Sequence, residues 1–86
     1  MAVNQEVRNK LQHNTKVLDD HAFDNSIIGT TFDGRAVYDY DKMVKELMAD
    51  EHWSEDEATE WIEYNTLRAL PYMGKDAPVV AYIDSF

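Results

Sequence analysis

The stretch Ser26-Ile27-Ile28-Gly29-Thr30-Thr31-Phe32, Asp33-Gly34, Arg35-Ala36-Val37-Tyr38-Asp39-Tyr40 decides how this chain folds. Two runs rich in β-branched and aromatic residues flank an Asp-Gly pair, which is the chemistry of a two-residue hairpin turn with both central positions at φ > 0. That turn sets Phe32 opposite Arg35, Thr30 opposite Val37, Gly29 opposite Tyr38 and Ile27 opposite Tyr40. One face then carries Ile27, Gly29, Thr31, Ala36, Tyr38 and Tyr40. The other carries Ile28, Thr30, Phe32 and Val37, so both faces are partly apolar. In this register the Tyr38 ring covers Gly29 and offsets its weak strand propensity.

Helices follow on the C-terminal side. Asp39 or Asp41 can cap a helix whose buried side is Met43, Val44, Leu47 and Met48 and which stops near Glu51 or His52. Trp53-Ser54-Glu55-Asp56-Glu57-Ala58 then starts a second helix, with Ser54 as N-cap, Glu57 as its reciprocal partner, and Trp53 and Ala58 as a hydrophobic staple. To about Leu70, where Pro71 stops it, this helix gathers Ala58, Trp61, Ile62, Asn65 and Ala69 in one arc. An Asn inside that arc needs partners, here expected from the Leu70–Gly74 loop or the hairpin. Val79-Val80-Ala81-Tyr82-Ile83 reads as a last strand.

On the N-terminal side, Val3, Val7, Leu11 and Leu18 form a thin apolar stripe on a helix from about residue 3 to 18, followed by an irregular link to Asn25. The fold class expected is α+β. A three-stranded antiparallel sheet, made of the hairpin and the C-terminal strand, packs against two tandem helices, with an additional N-terminal helix loosely attached over residues 1–20. The whole of residues 1–86 reads as one domain.

Apolar content of 44%, with two Trp, five Tyr and three Phe, suffices for a core. The absence of cysteine excludes a disulfide framework and thiolate metal sites, and is compatible with a reducing cytoplasm. No secretory leader or membrane span is legible. The net charge is −9, and it is unevenly spread: from Asp19 to Glu63, fourteen carboxylates stand against three cations, a local net of −11. A field of that sign repels nucleic acid and anionic membrane, and attracts the basic surfaces that bind them.

Asp24-Asn25-Ser26-Ile27-Ile28-Gly29, Ala36-Val37-Tyr38-Asp39-Tyr40-Asp41-Lys42-Met43-Val44, Glu60-Trp61-Ile62-Glu63-Tyr64-Asn65-Thr66 and Arg68-Ala69-Leu70-Pro71-Tyr72-Met73-Gly74 together resemble a family of small acidic proteins encoded by bacteriophages and prophages. The likeness spans residues 24–83, and Tyr38 to Met43 is its most specific part. It brings no catalytic residues. It implies a host-takeover or counter-defence role in the host cytoplasm, of which anti-CRISPR proteins are one kind.

Catalytic chemistry finds little support in the residues themselves. His13, His21 and His52 lack the one-turn spacing of a zinc helix. Asp20 with Asp24 and Asp39 with Asp41 do not match a calcium loop and read as solvated carboxylates or helix caps. Gly29, Gly34 and Gly74 are too far apart for a phosphate cradle, and Ser26, Ser54 and Ser85 lack a neighbouring base and acid. No enzyme, cofactor or metal is expected. Arg68 with Tyr72 reads as helix-end dipole complementation or a small recognition surface.

The row Asp50, Glu51, Glu55, Asp56, Glu60 and Glu63 remains, and no element requires it. Like charges at i and i+4 weaken a helix by a few tenths of a kcal/mol each. These six are the expected contacts for a basic, nucleic-acid-binding host protein such as a CRISPR effector, with Trp53 and Tyr64 as anchors at the rim and the acids imitating nucleic acid. The alternative is a homo-oligomeric structural or accessory module, in which the N-terminal helix or an open strand edge pairs with a second copy.

Overall fold

A computed structural model describes residues 15–83. The hairpin forms with a longer turn than the two-residue loop. Strands β1 (Ile27–Thr30) and β2 (Ala36–Asp39) run antiparallel, with Ile27 opposite Tyr38, Gly29 opposite Val37 and Thr30 opposite Ala36, and a bulge between Ile27 and Gly29. The Thr31 N–H donates to the Arg35 carbonyl at 2.7 Å and the Gly34 N–H to the Thr31 carbonyl at 3.0 Å. Gly34 takes φ 85° while Asp33 does not go positive, giving a three-residue loop closed by a left-handed glycine. Asp33 is held differently from the expected turn: its carboxylate accepts from the Thr31 hydroxyl, whose oxygen accepts the Arg35 N–H at 2.9 Å. The pairing therefore slides by one residue at Gly29 and Thr30 and, past the bulge, by two at Ile27. Gly29 faces Val37, and no described residue lies within 4 Å of where its Cβ would stand, so the Tyr38 ring does not cover it.

Strand β3 (Val79–Ala81) joins the free side of β2, with Val37 opposite Val79, Tyr38 opposite Val80 and Asp39 opposite Ala81. It runs parallel, not antiparallel as the sequence suggested, so the sheet is mixed, in the order β1-β2-β3. The chain leaves β2 directly into helices and re-enters the sheet only after them, the crossover that parallel neighbours require.

Asp39 caps α1 (Tyr40–Glu51), its Oδ1 accepting from the Asp41 N–H at 3.0 Å and the Lys42 N–H at 3.3 Å. Helix α1 buries Tyr40, Met43, Val44 and Leu47 and ends at His52, which adopts φ 58°. The capping box of α2 (Glu55–Trp61) is complete: the Ser54 N–H donates to Glu57 Oε1 at 3.0 Å and the Glu57 N–H to Ser54 Oγ at 3.2 Å. From Ile62 to Leu67 the helix widens into a π turn, followed by a 3-10 turn over Leu70–Met73 that contains Pro71. The widening changes what faces inward. Ala58, Ile62 and Thr66, each four residues apart, are buried, whereas Asn65 and Ala69 are exposed. Asn65 is thus not the buried amide expected; its Nδ2 donates to the Trp61 carbonyl at 2.9 Å.

The link before the hairpin is not irregular. Asp20 caps a 3-10 helix, His21–Ser26, its side chain accepting the Ala22 N–H at 2.9 Å, and Phe23, Asp24 and Ser26 are buried there against α1. Residues 15–18, which the expected N-terminal helix included, are not helical, and the rest of that helix lies outside the described residues. They form a strap: Lys16 Nζ donates to the Met73 carbonyl at 2.6 Å and the Leu18 N–H to the buried Tyr38 hydroxyl at 2.9 Å. Leu18, Phe23, Ala36, Tyr38, Tyr40, Met43, Val44, Leu47, Ala58 and Ile62 form the core between sheet and helices.

Gly74, beside that strap, takes φ 88° and ψ −173°, a region that only glycine occupies comfortably. A Cβ there would meet only Lys16 Nζ, at 3.6 Å, so backbone strain alone should set the cost of substitution. Gly74→Ala is expected to lose about 1–3 kcal/mol in urea unfolding.

Candidate partner-binding face

The acidic residues singled out from the sequence lie on the exposed side of the helices. Asp50 and Glu51 end α1, Glu55 and Asp56 open α2, Glu60 lies near its end, and Glu63 and Tyr64 belong to the π turn. All six carboxylates are exposed. No described residue forms an ion pair with any of them.

Two concavities flank this ridge. A groove of about 510 Å³ is lined by Trp53, Glu57, Glu60, Trp61, Tyr64 and Asn65. A second cleft of about 500 Å³ lies between α1 and the following helices, with Tyr40, Asp41, Lys45, Glu55, Glu63 and Tyr82 among its walls. Glu60 therefore borders one and Glu55 and Glu63 the other, while Asp50, Glu51 and Asp56 line neither. Trp53 and Tyr64, expected at the rim, both line the first groove.

The α-helical arc places Trp61 and Asn65 together on the inward side and connects neither with Trp53. Trp61 does both jobs: one side packs on Phe23, with ring centroids 6.3 Å apart at 49°, and it also lines the groove. The spacing 57, 60, 61 and 64 places all four side chains on one helical face, a signal that was available. Beyond the groove, Arg68 lies 5.5 Å from the centre of the Tyr64 ring, whereas Tyr72 stands exposed, so the Arg68–Tyr72 pairing considered from the sequence is an Arg68–Tyr64 pairing.

In the second cleft Tyr40 and Tyr82 meet edge to face at 5.1 Å and 61°. The Tyr40 phenol is held above its ordinary pKa, first by burial and then by the charge of Glu63, Tyr82, Asp41 and Glu55. A phenol whose folded pKa exceeds its unfolded one favours the fold below the unfolded value, and that contribution disappears as pH rises through the folded value. Tyr40→Phe should therefore lose less stability than the wild type between about pH 9 and 12 in denaturant melts, the interval around and above an ordinary phenol.

Other chemistry is sparse. His21 Nδ1 and Asp24 Oδ2 meet at 3.0 Å, but Ser26 Oγ is buried with no hydrogen-bond partner among the described residues, so no base engages it. Asp20 and Asp39, weighed as calcium ligands, serve as caps. Among the described residues no group of three or more acids or histidines is placed to hold a metal, and no helix is long and apolar enough to cross a membrane. Compared with known proteins, the chain matches no family model, no curated protein and no solved structure.

Proposed function

We propose that this is a phage-encoded, non-enzymatic inhibitor that uses its acidic ridge to occupy the nucleic-acid-binding surface of a basic host protein, a counter-defence role of the anti-CRISPR type. One observation carries the reading: a ridge of exposed carboxylates without ion-pair partners among the described residues, set between two aromatic-lined concavities. The ridge costs helix stability through like-charge repulsion, and its field speeds association with a basic groove while excluding the normal polyanion. The concavities supply what charge alone does not, apolar contact for anchoring side chains at the edges of the ridge.

The test is capture from bacterial lysate on the immobilised protein, with mass spectrometry of what is retained. Proteins with basic, nucleic-acid-binding surfaces should be enriched and released by about 0.5 M salt, where screening falls to a few ångströms. Retention of neutral or acidic proteins irrespective of salt would contradict the reading.

A second reading, self-association, is favoured by the sheet edges β1 and β3, which no other described strand covers and near which Ile28, Phe32, Tyr82 and Ile83 are exposed. Light scattering distinguishes it: a concentration-dependent dimer supports edge pairing, and a monomer at high concentration removes it.

A further inference from the structure

The groove beside the ridge has a composition that selects a particular group on the partner. Both tryptophans of the chain are in it, joined by Tyr64, with Glu57 and Glu60 as its only charged walls among the described residues. Its volume, about 510 Å³, gives an open groove with room for a long side chain. Aromatic faces carry negative electrostatic potential, and two carboxylates deepen it, so an anion is repelled and a neutral apolar group would leave the acids uncompensated. A cation satisfies both kinds of wall.

We propose that this groove takes an arginine side chain of the basic partner. The inference rests on reading the acidic ridge as the docking surface. Guanidinium is planar and weakly hydrated, stacks on aromatic faces and offers a fork of donors to carboxylates, whereas ammonium is a compact, strongly hydrated charge. Outside the groove, the guanidinium of Arg68 already sits 5.5 Å from the Tyr64 ring centre, so this ring accepts such a group. The acceptors are held in place beforehand. Glu57 is fixed by the Ser54 N–H at 3.0 Å, and Asn65 is anchored by its Nδ2 bond to the Trp61 carbonyl, which leaves its amide oxygen available to a donor. The π turn contributes Asn65, which it leaves exposed beside Trp61 instead of inside the helix's apolar arc.

Because both tryptophans line the groove, their fluorescence and indole N–H resonances report its occupancy directly. Hexa-arginine and hexa-lysine are titrated into the full chain at about 20 mM ionic strength, where surface charges act over tens of ångströms. The expected result is a saturable change in both indole signals with hexa-arginine, at an affinity about fivefold or more above hexa-lysine. Glu60→Gln and Tyr64→Ala, both at exposed positions, should each weaken it by a similar factor with unchanged circular dichroism. Equal affinity for the two peptides with unmoved indole signals would overturn the groove assignment while leaving the ridge as a general cation-binding face. Failure of both peptides to bind would overturn the ridge reading together with it.

Discussion

Phe23→Ala should leave the protein largely unfolded or close to it, with a loss of about 3–5 kcal/mol and a urea midpoint lower by about 2–4 M. Phe23 is 1% exposed, lies in the 3-10 helix that packs on α1, and stacks at 6.3 Å on Trp61, so it joins the segment before the hairpin to the helix after it. Removing the ring leaves a cavity between elements that are tied down by Asp20, Ser54 and Asp39 at their starts, and they cannot all shift to fill it. A domain of this size holds only about 4–13 kcal/mol in total. The same substitution at Phe32, fully exposed at the hairpin tip, should change stability by no more than about 0.5 kcal/mol. Urea unfolding followed by circular dichroism measures both; equal effects at the two positions would contradict the packing.

The largest functional effect is expected from reversing Asp56, Glu60 and Glu63 to Lys together. Each reversal adds two charges, so the net moves from −9 to −3 and the six-residue ridge from −6 to zero. Affinity for the basic partner should fall at least about 100-fold, since favourable close charge pairs become repulsive ones. Folding should be spared. All three side chains are exposed and make no ion pair with a described residue. Relief of the repulsion between Asp56 and Glu60 is offset by new repulsion between the lysines and by loss of an acid near the start of α2, leaving a net change within about 1 kcal/mol. Surface plasmon resonance against the captured partner reads the first effect and thermal melting the second. Binding that survives reversal would remove the ridge from the interface.

What was legible in the sequence is what neighbouring residues decide among themselves. The Ser54–Glu57 box and the Asp39 cap are interactions over two or three residues, and both form as expected. The hairpin was legible as a hairpin, but its register turned on whether Asp33 itself takes positive φ, and the Thr31 hydroxyl settles that by drawing Asp33 and the Arg35 N–H into a wider loop. The direction of β3 depends on where the chain re-enters the sheet after the helices, which no local pattern encodes. The burial of Phe23 likewise depends on the arrival of α1 and Trp61 from later in the chain.

A wheel drawn at the α-helical period over Ala58–Ala69 places Asn65 and Ala69 inside, whereas the backbone leaves that period at the π turn from Ile62 and both are exposed. The candidate site divides the same way. Exposure of the acidic row was readable from charge, whereas the groove joining Trp53 to Trp61 and Tyr64 exists only once the Trp53 corner is folded against α2 and the π turn.

On the proposed function, this protein and nucleic acid compete for one basic surface. The direct measurement is binding of duplex DNA to the purified captured partner, followed by fluorescence anisotropy as the acidic protein is added. The expected result is mutual exclusion: DNA is released, and its apparent Kd rises in proportion to the concentration of the acidic protein. A stable ternary complex, with DNA still bound at saturating acidic protein, would contradict it.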